Sequence, residues 1–552
     1  MSWSRRNAPV VLLGAALLAS ALLLLVLESR LTFFQDTFEF LMNRRAFSAD
    51  SILKPHNEHI VVIPVLLMQL LLAIFGMSSA MPEFVLLTVA LLATAVLLFV
   101  YVQRRLGPWL ALMATALLLF IGPAWQDILW PFEIGFVGSV LFGIAMLLAL
   151  EREDQRGDLL ACLFLLIAIA FNSLGIAFAV GAFVELVQHR RSRGLRRAWV
   201  VGVPLLLYAL WYLGWGHDAE SHLSLRNILN SPKFLVESVA ASAESLLGLS
   251  SPPVEGVSKP GWGRALVVGI VGLVLFGQWR KPGFYARLWP AAAAAATYWL
   301  LTAFNYIPGR DPTTSRYLYA SAALFLLVAA NLLKDVRFGR RALWVLGAVT
   351  AAAIASNLVI LKDGYDWFRN QTVLTKADLA ALEISRPTIN PNFALSPEVA
   401  GTPSLIDVEA QKYFDAIDEH GSPAYTPEEL AAAPEPGPSQ ADKLLVLTLP
   451  LSTETTIGKY DAGTAVENCK TLPAGTTTPG SEVQLSPGRT RIEVAPGPHA
   501  SFSLRRFTRG AYPVQTEGSP GESTTLLRIP RDRAPQPWFL HVDASQQVRV
   551  CR

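Results

Sequence analysis

The sequence predicts an α-helical polytopic membrane bundle followed by a small C-terminal domain of β-sandwich type. Residues 1–361 consist mostly of apolar runs of membrane-spanning length, with charged residues concentrated between the runs. Residues 362–552 are polar and rich in Pro and Gly. The 552-residue chain is 52% hydrophobic and only 16% charged, whereas soluble proteins are about 25% charged. We therefore expect a protein of the lipid bilayer, and no Lys/Arg block indicates a nucleic-acid partner.

The spans follow from the length of the apolar runs, because a spanning helix needs about 20 predominantly apolar residues. The first run follows Arg5 and Arg6 like a signal peptide, but its core is long and no convincing cleavage site follows, so we interpret it as a retained anchor. Eleven spans are predicted, at residues 10–27, 84–103, 108–121, 134–150, 158–171, 174–188, 198–214, 264–279, 285–305, 316–333 and 342–361.

Residues 60–76 decide the orientation. If this run spans the membrane, the basic clusters at 104–105, 190–197 and 340–341 lie on the opposite side from the N-terminal arginines. If it is an interfacial or re-entrant helix, every one of these clusters is cytoplasmic, as the positive-inside rule favours. The prediction is therefore a multi-pass protein of the cell membrane with a cytoplasmic N-terminus and an extracytoplasmic C-terminal domain. Four outward loops then hold the candidate chemistry: 28–83, 122–133, 215–263 and 306–315.

The C-terminal part divides into a helical connector, 362–440, and a β-rich domain, 441–552, after the membrane domain of residues 1–361. Helix-like spacing occurs at 375–383, 405–419 and 427–433. Short β-type runs separated by Gly and Pro clusters predict a sandwich, with strands at 444–449, 491–494, 501–504, 524–529, 538–542 and 547–550.

Three cysteines occur in the chain, Cys162 in a predicted span and Cys469 and Cys551 in the β-rich domain. In an oxidising exterior Cys469 and Cys551 are a natural disulfide pair. The alternative is two unpaired buried thiols.

The first outer loop contains Asp36 and Glu39, which share a face if they lie on a helix. A carboxylate just outside the membrane could act as a general base on a hydroxyl acceptor or bind a cation. Equally, Asp36 as N-cap with Glu39 at N3 would form a capping box. The two roles can also be divided, with Glu39 structural and Asp36 reactive.

The same loop continues into Pro55-His56-Asn57-Glu58-His59 before the interfacial helix. His56, Glu58 and His59 could ligate a metal, although no zinc-enzyme signature such as H-E-x-x-H is present. They could instead position a substrate. The third interpretation is a polar entry to the helix, with Pro55 near its first turn.

The second outer loop carries Asp127 between Trp125 and Trp130, followed by Glu133. Tryptophans at a membrane edge usually belong to the aromatic belt. However, Asp127 has no local charge partner, and aromatics beside a carboxylate suit a sugar ring. The loop therefore offers candidate substrate contacts.

The last outer loop includes Arg310 and Arg316, followed by Tyr317, on the side where positive charges are scarce. Guanidinium groups at this edge could bind a lipid phosphate bidentately. Alternatively, Arg316 snorkels at a helix end and Arg310 pairs with Asp311.

The spans carry almost no charge near their middles; Glu185 lies near an inner end and Asn172 near an outer end. Ion-coupled transporters usually need buried charges in their spans. This pattern counts against a proton- or sodium-driven pump.

Taken together, the layout resembles the GT-C superfamily of membrane glycosyltransferases, which use polyprenyl-phosphate sugars as donors. The resemblance covers about residues 1–361: Asp36 matches the first acidic position, 60–76 the interfacial helix, and Asp127, or less closely Glu133, the second acidic position. Many members also end in an extracytoplasmic β-rich domain. The second loop lacks an Asp-x-Asp or Asp-x-Glu pair, so no cofactor is expected, although a divalent metal stays open.

This resemblance implies an inverting glycosyltransferase that acts on the outer face. Asp36 would be the general base, Arg316 and Arg310 would hold the phosphate of a polyprenyl-phosphate-linked sugar, and the acceptor would be a cell-envelope glycan or protein. The remaining candidates, which would position sugar or acceptor, are His56, Glu58, His59, Asp127, Trp130, Glu133 and Tyr317. The alternatives are a lipid-linked glycan transporter or flippase, a non-catalytic envelope scaffold, and an outer-face acyltransferase.

Overall fold

The computed structural model describes residues 2–188, 194–250, 261–280, 288–400, 403–406, 408–449, 456–457, 469–472, 482–494, 500–514, 523–544 and 547–551. Four predicted segments lie partly outside these ranges: 190–193 of the basic cluster, 251–260 of the third outer loop, 285–287 of the ninth span and residue 407 of a connector helix.

The chain divides into two compact units. The first comprises Met1–Phe33, Asn43–Ile74 and Ala80–Arg369, and the second comprises Phe34–Met42, Phe75–Ser79 and Asn370–Arg552. This division differs from the predicted boundary at residue 361, because one helix continues without interruption from Arg340 to Ser385.

The helices are α1 (Ser2–Glu28), α2 (Asp36–Asn43), α3 (Ala49–Leu53), α4 (Val62–Phe75), α5 (Met81–Leu106), α6 (Pro108–Leu119), α7 (Trp125–Leu129), α8 (Ile134–Leu150), α9 (Gln155–Phe171), α10 (Gly175–Gln188), α11 (Trp199–Gly214), α12 (Leu225–Leu246), α13 (Gly263–Arg280), α14 (Trp289–Phe304), α15 (Ser315–Leu332), α16 (Arg340–Ser385), α17 (Pro397–Ala400), α18 (Ala410–His420), α19 (Pro427–Ala432) and α20 (Gly437–Thr448). The strands are β1 (Ala394–Leu395), β2 (Val408–Glu409), β3 (Thr456–Ile457), β4 (Cys469–Leu472), β5 (Glu482–Leu485), β6 (Gly488–Val494), β7 (Ala500–Arg505), β8 (Tyr512–Val514), β9 (Ser523–Ile529), β10 (Trp538–Ala544) and β11 (Val548–Cys551).

Each of the eleven predicted spans coincides with a helix or with part of one, which confirms the helical bundle. Within the described residues, five helices are long and apolar enough to cross a membrane, or six if the bent pair Pro108–Leu119 and Gly122–Leu129 counts as one span. The predicted interfacial segment is the 14-residue helix α4. The chain is thus a membrane protein with many apolar helices, while the number of spans and their orientation stay predictions.

The predicted third outer loop, residues 215–263, contains the 22-residue helix α12, and its placement outside the membrane stays a prediction. Ser224 caps this helix by accepting a hydrogen bond from the backbone N–H of Asn227 at 3.2 Å. The sequence did not predict this helix, because its polar residues and the internal Pro232 interrupt the apolar pattern. Its apolar face packs against α13, α14 and α15.

Close helix packing in the first unit depends on small residues. A Cβ built on Gly138 would lie 2.4 Å from the Phe171 ring, and one on Gly364 would lie 2.3 Å from Trp125. Glycine at these positions therefore lets a large ring occupy the space against the neighbouring helix.

The β-rich region forms two antiparallel sheets, with strand orders β5-β10-β7-β8 and β3-β9-β6-β11-β4. Five of the six predicted runs are strands, which confirms the predicted β-sheet region. The run 444–449 is wrong as a strand, because residues 444–448 belong to α20. A short apolar run does not distinguish a buried strand from a helix segment.

Cys469 and Cys551 form a disulfide in the second unit. The two cysteines lie directly opposite each other on neighbouring strands β4 and β11. The disulfide therefore links the edge strand β4 to its neighbour β11 in the five-stranded sheet.

Candidate functional site

The segment before α4 is a tight turn rather than a helix entry. His56 and His59 exchange both backbone hydrogen bonds, at 3.0 and 2.9 Å, and Asn57 between them has a positive φ of 48°. The helix begins only at Val62, so the interpretation of Pro55 as a first-turn residue is wrong. The turn places Glu58 and His59 side by side.

Glu58 forms an ion pair with Arg310 of the last outer loop. The distance from Arg310 Nη1 to Glu58 Oε1 is 2.7 Å, and the two side chains are only 12% and 16% exposed. Burial alone would raise the pKa of Glu58, but His59 and Arg310 lower it below its ordinary value. The predicted local pair of Arg310 with Asp311 is not formed; Asp311 instead accepts a hydrogen bond from the Tyr306 hydroxyl.

Three buried polar atoms of this group are left open. Among the described residues, Glu58 Oε2, His59 Nδ1 and Arg310 Nε have no hydrogen-bond partner. Burial lowers the pKa of His59 to about 4, although Glu58 opposes the shift, so the ring is neutral near pH 7. Buried polar groups without partners are uncommon, and here they point to a ligand.

These groups line a cavity of about 160 Å³ inside the first unit. A single water needs about 10–15 Å³ on the same measure, so the space suits a ligand of sugar size rather than one ion. The wall combines Phe136 and the aliphatic Leu174, Ile176 and Leu301 with polar side chains. The polar members are Glu58, His59, Asn172, Ser173, Tyr208, Tyr298, Thr302, Asn305, Arg310 and Tyr317.

Asp127 lies beside the first turns of α15 and is completely buried. Its Oδ2 accepts the backbone N–H of Tyr319 at 3.0 Å, while Gln126 contacts Ser315 and the backbone of Arg316. Asp127 also interacts electrostatically with Glu133 and Arg316. In this structure Asp127 therefore holds the helix that carries Arg316 and Tyr317.

The aromatic residues of the second outer loop are interior rather than lipid-facing. Trp125 and Trp130 are each 1% exposed, so the belt interpretation is wrong for both. Trp130 stacks on Phe132, and Phe132 makes an edge contact with His56 at 5.0 Å. These rings therefore pack against the 56–59 turn through His56.

Arg316 and Tyr317 begin α15 close to the same group. The guanidinium of Arg316 lies 5.4 Å from the centroid of the Tyr317 ring. Arg316 acts electrostatically on His59, and Tyr317 lines the cavity. The structure thus brings together, within the first unit, both arginines and the residues of the His-Asn-Glu-His turn.

Asp36 belongs to the second unit, where it is the first residue of α2. A capping box with Asp36 as N-cap would start the helix one residue later, so that register is wrong. Both Asp36 and Glu39 lie in the first turn, where the helix dipole favours carboxylates. Asp36 is half-buried.

Sequence reasoning missed part of the cavity wall. Asn172 stood out only as a polar residue near a span end, and Ser173, Tyr208 and Asn305 were not singled out. The available signal for Asn172, Ser173 and Asn305 was their position at the ends of apolar runs, where charged candidates also lie, whereas Tyr208 lies within the predicted span 198–214. Within the described residues, no group of three His, Cys, Asp or Glu could hold a metal ion.

Comparison with known proteins gave a match among solved structures. Neither the protein-family models nor the curated proteins match this chain. Among solved structures, the chain is similar to ArnT from Cupriavidus metallidurans bound to undecaprenyl phosphate, with 12% identity and a TM-score of 0.44 over 76% of this chain and 90% of that one.

Proposed function

We propose that the protein is an inverting glycosyltransferase that moves a sugar from a polyprenyl-phosphate donor to a cell-envelope acceptor on the outer face of the membrane. The observation that carries this proposal is the buried Glu58–Arg310 pair, which lines a sugar-sized cavity and leaves hydrogen-bonding atoms open. A cavity with an apolar wall and a few convergent polar groups is typical of a small-molecule site.

Arg310 is the stronger candidate for the donor phosphate. Its Nε–H is available, and an arginine can bind phosphate through two parallel N–H groups. The phosphate would take over from Glu58 as the counter-ion, with Arg316 adding a second positive charge. Positive charge at the departing oxygen stabilises the leaving phosphate.

The uncharged polar groups of the cavity suit the sugar. Neutral His59, Tyr317 and Asn172 offer donors and acceptors for hydroxyl groups, and Phe136 offers an apolar face. The acceptor hydroxyl would attack the anomeric carbon, the bond to the phosphate oxygen would break, and Asp36 would take the proton of the hydroxyl. One displacement of this kind inverts the anomeric configuration.

The test is transfer by Asp36→Asn in native membranes. Asparagine keeps a small polar side chain in the first turn but is a poor base, so transfer should fall by at least about 10²-fold at normal abundance. Glu39→Gln is the matched control on the same helix and should lose far less. Full transfer by Asp36→Asn would remove Asp36 as the base.

The same experiment separates the alternatives. A flippase would move lipid-linked glycan without transferring sugar, so wild type and the Asp36→Asn and Arg310→Ala variants would all show no transfer. A scaffold would tolerate substitution of all the loop carboxylates. Loss of transfer in both variants with normal folding supports an enzyme.

The orientation has its own test. A reporter fused after Ser385, at the end of α16, should lie outside the cell, and a tag at Gly194 should lie in the cytoplasm. A cytoplasmic reporter at Ser385 would contradict the proposed outer face of the reaction.

A further inference from the structure

The residue immediately before α2 is held twice by the segment 403–406. Gln35 donates its backbone N–H to the Ser404 carbonyl at 2.8 Å and its side-chain Nε2 to the Pro403 carbonyl at 2.9 Å. Its φ is 42°, in the left-handed region that residues with a side chain seldom adopt. Glycine would enter this conformation without strain, but glycine could not make the side-chain hydrogen bond.

The segment that holds Gln35 is itself anchored in the second unit. Ser404 Oγ lies 2.8 Å from Gln371 Oε1 of α16 and is hydrogen-bonded to it. Both Ser404 and Leu405 have no exposed surface. The contact therefore ties the start of α2 to a long helix.

The orientation of Gln35 controls the first turn of α2. The Gln35 carbonyl accepts the backbone N–H of Phe38 at 2.8 Å, and the Phe34 carbonyl accepts that of Thr37. Phe34 and Phe38 are buried on either side. Asp36 follows Gln35 directly, so the left-handed turn sets the direction of the Asp36 side chain.

We propose that Gln35 is a positioning residue for Asp36, held in a left-handed turn by the carbonyls of Pro403 and Ser404. This inference rests on the proposed role of Asp36 as the base. It gives residues 403–406 of the C-terminal region a part in the reaction. A displacement of about 1 Å at a reacting group can cost about 10²-fold in rate.

The test compares three substitutions by their kcat and their KM for the donor. Gln35→Val cannot readily adopt a left-handed φ, so kcat should fall about 10- to 100-fold while KM for the donor stays unchanged. Gln35→Gly keeps the turn and the backbone hydrogen bond, so kcat should fall only several-fold. Gln411→Ala, an exposed glutamine on α18, is the control and should match wild type.

The Asp36→Asn background distinguishes positioning from simple structural support. If Gln35 acts through Asp36, Gln35→Val should cause no further loss of kcat in that background, because residues that act as a unit are strongly non-additive. Additive losses would overturn the inference, as would wild-type kcat for both Gln35 variants. If Gln35→Val does not accumulate, Gln35→Gly carries the same comparison, since glycine fits the turn. Full activity of Asp36→Asn alone would instead overturn the proposed base.

Discussion

Two buried arginines, one in each unit, differ in how much of their hydrogen-bonding capacity the protein uses. Arg506 in the second unit donates to the Gln536 and Ala534 carbonyls and binds Asp532 through both terminal nitrogens. Arg310 in the first unit donates to Glu58, and among the described residues its Nε has no partner. Leaving a buried donor unpaired costs free energy, so we interpret the saturated Arg506 as a structural residue and Arg310, whose open donor lies beside the cavity, as a ligand-binding residue.

Asp442 in the second unit and Glu58 in the first show the same difference. Asp442 accepts the backbone N–H groups of Arg506, Phe507 and Thr508 at 2.8–3.0 Å. Burial raises the pKa of Asp442 to about 6, against the effect of these hydrogen bonds. Glu58 has one oxygen on Arg310 and the other without a partner among the described residues. Burial alone therefore does not identify a site, whereas unused hydrogen-bonding capacity beside a cavity does.

The largest expected effect concerns the Cys469–Cys551 disulfide of the second unit. Cys469 and Cys551 are 82 residues apart, and closing so long a loop stabilises by about 4–5 kcal/mol in the chain-entropy model. The Cys469→Ser/Cys551→Ser double variant should lose this free energy of unfolding, measured with denaturant on the full chain. Non-reducing peptide mapping of protein from native membranes should find the two cysteines joined; free thiols there would contradict the pairing.

The second prediction tests the structural arginine. Arg506→Met leaves Asp532 buried without its cation, which should destabilise the second unit by about 3–5 kcal/mol. The Arg506→Met/Asp532→Leu double variant removes both charges and should be far closer to wild type. Denaturant unfolding of the full chain measures both, and equal losses in the single and double variants would show that the pair contributes through packing alone.

The third prediction tests the open arginine. Arg310→Ala removes charge-assisted hydrogen bonds to the donor phosphate, so KM for the donor should rise about 10- to 100-fold, corresponding to about 1.5–3 kcal/mol. Arg310→Lys keeps the charge without the planar fork and should recover only part of the loss. An unchanged KM with reduced stability would make Arg310 a structural residue like Arg506.

Features that depend on local sequence patterns could be predicted, whereas contacts between residues far apart in the chain could not. The helices and five strands follow from local periodicity, and the resemblance to GT-C proteins follows from the order of loops and spans. The Glu58–Arg310 pair joins residues 252 positions apart, and no local pattern favoured Glu58 over the adjacent Asp311 as the partner of Arg310. The residues of α2 belong to the second unit for a similar reason, because Gln35 finds its hydrogen-bond partners near residue 404.

The fourth prediction uses the buried imidazole of the cavity. Burial lowers the pKa of His59 to about 4 from 6.5, so between these values the unfolded chain binds a proton that the folded chain does not. Stability is therefore fully present above about pH 6.5 and falls as the pH drops towards 4. Since 24% of the side chain is exposed, we expect a loss of about 1–2 kcal/mol.

The control for this prediction is His59→Gln, which does not titrate. The difference in unfolding free energy between pH 7 and pH 4.5 should be smaller in His59→Gln than in wild type. The same pH dependence in both proteins would assign the titration to another group.

The smallest expected effect is that of Arg316→Lys. The guanidinium of half-buried Arg316 lies over Tyr317 at 5.4 Å, and a cation–π contact of this kind contributes about 0.5–1 kcal/mol. Lysine keeps the charge and weakens this contact, so transfer should fall only about 2- to 5-fold. Arg316→Ala also loses the charge near the donor phosphate and should fall further, while Arg337→Ala, an exposed arginine beyond the other end of α15, should not. Initial rates at sub-saturating donor measure all three. Wild-type activity in Arg316→Ala would show that Arg316 is only a snorkelling cation at a helix end. Arg310 would then be the proposed phosphate-binding residue, because of the two arginines only Arg310 lines the cavity.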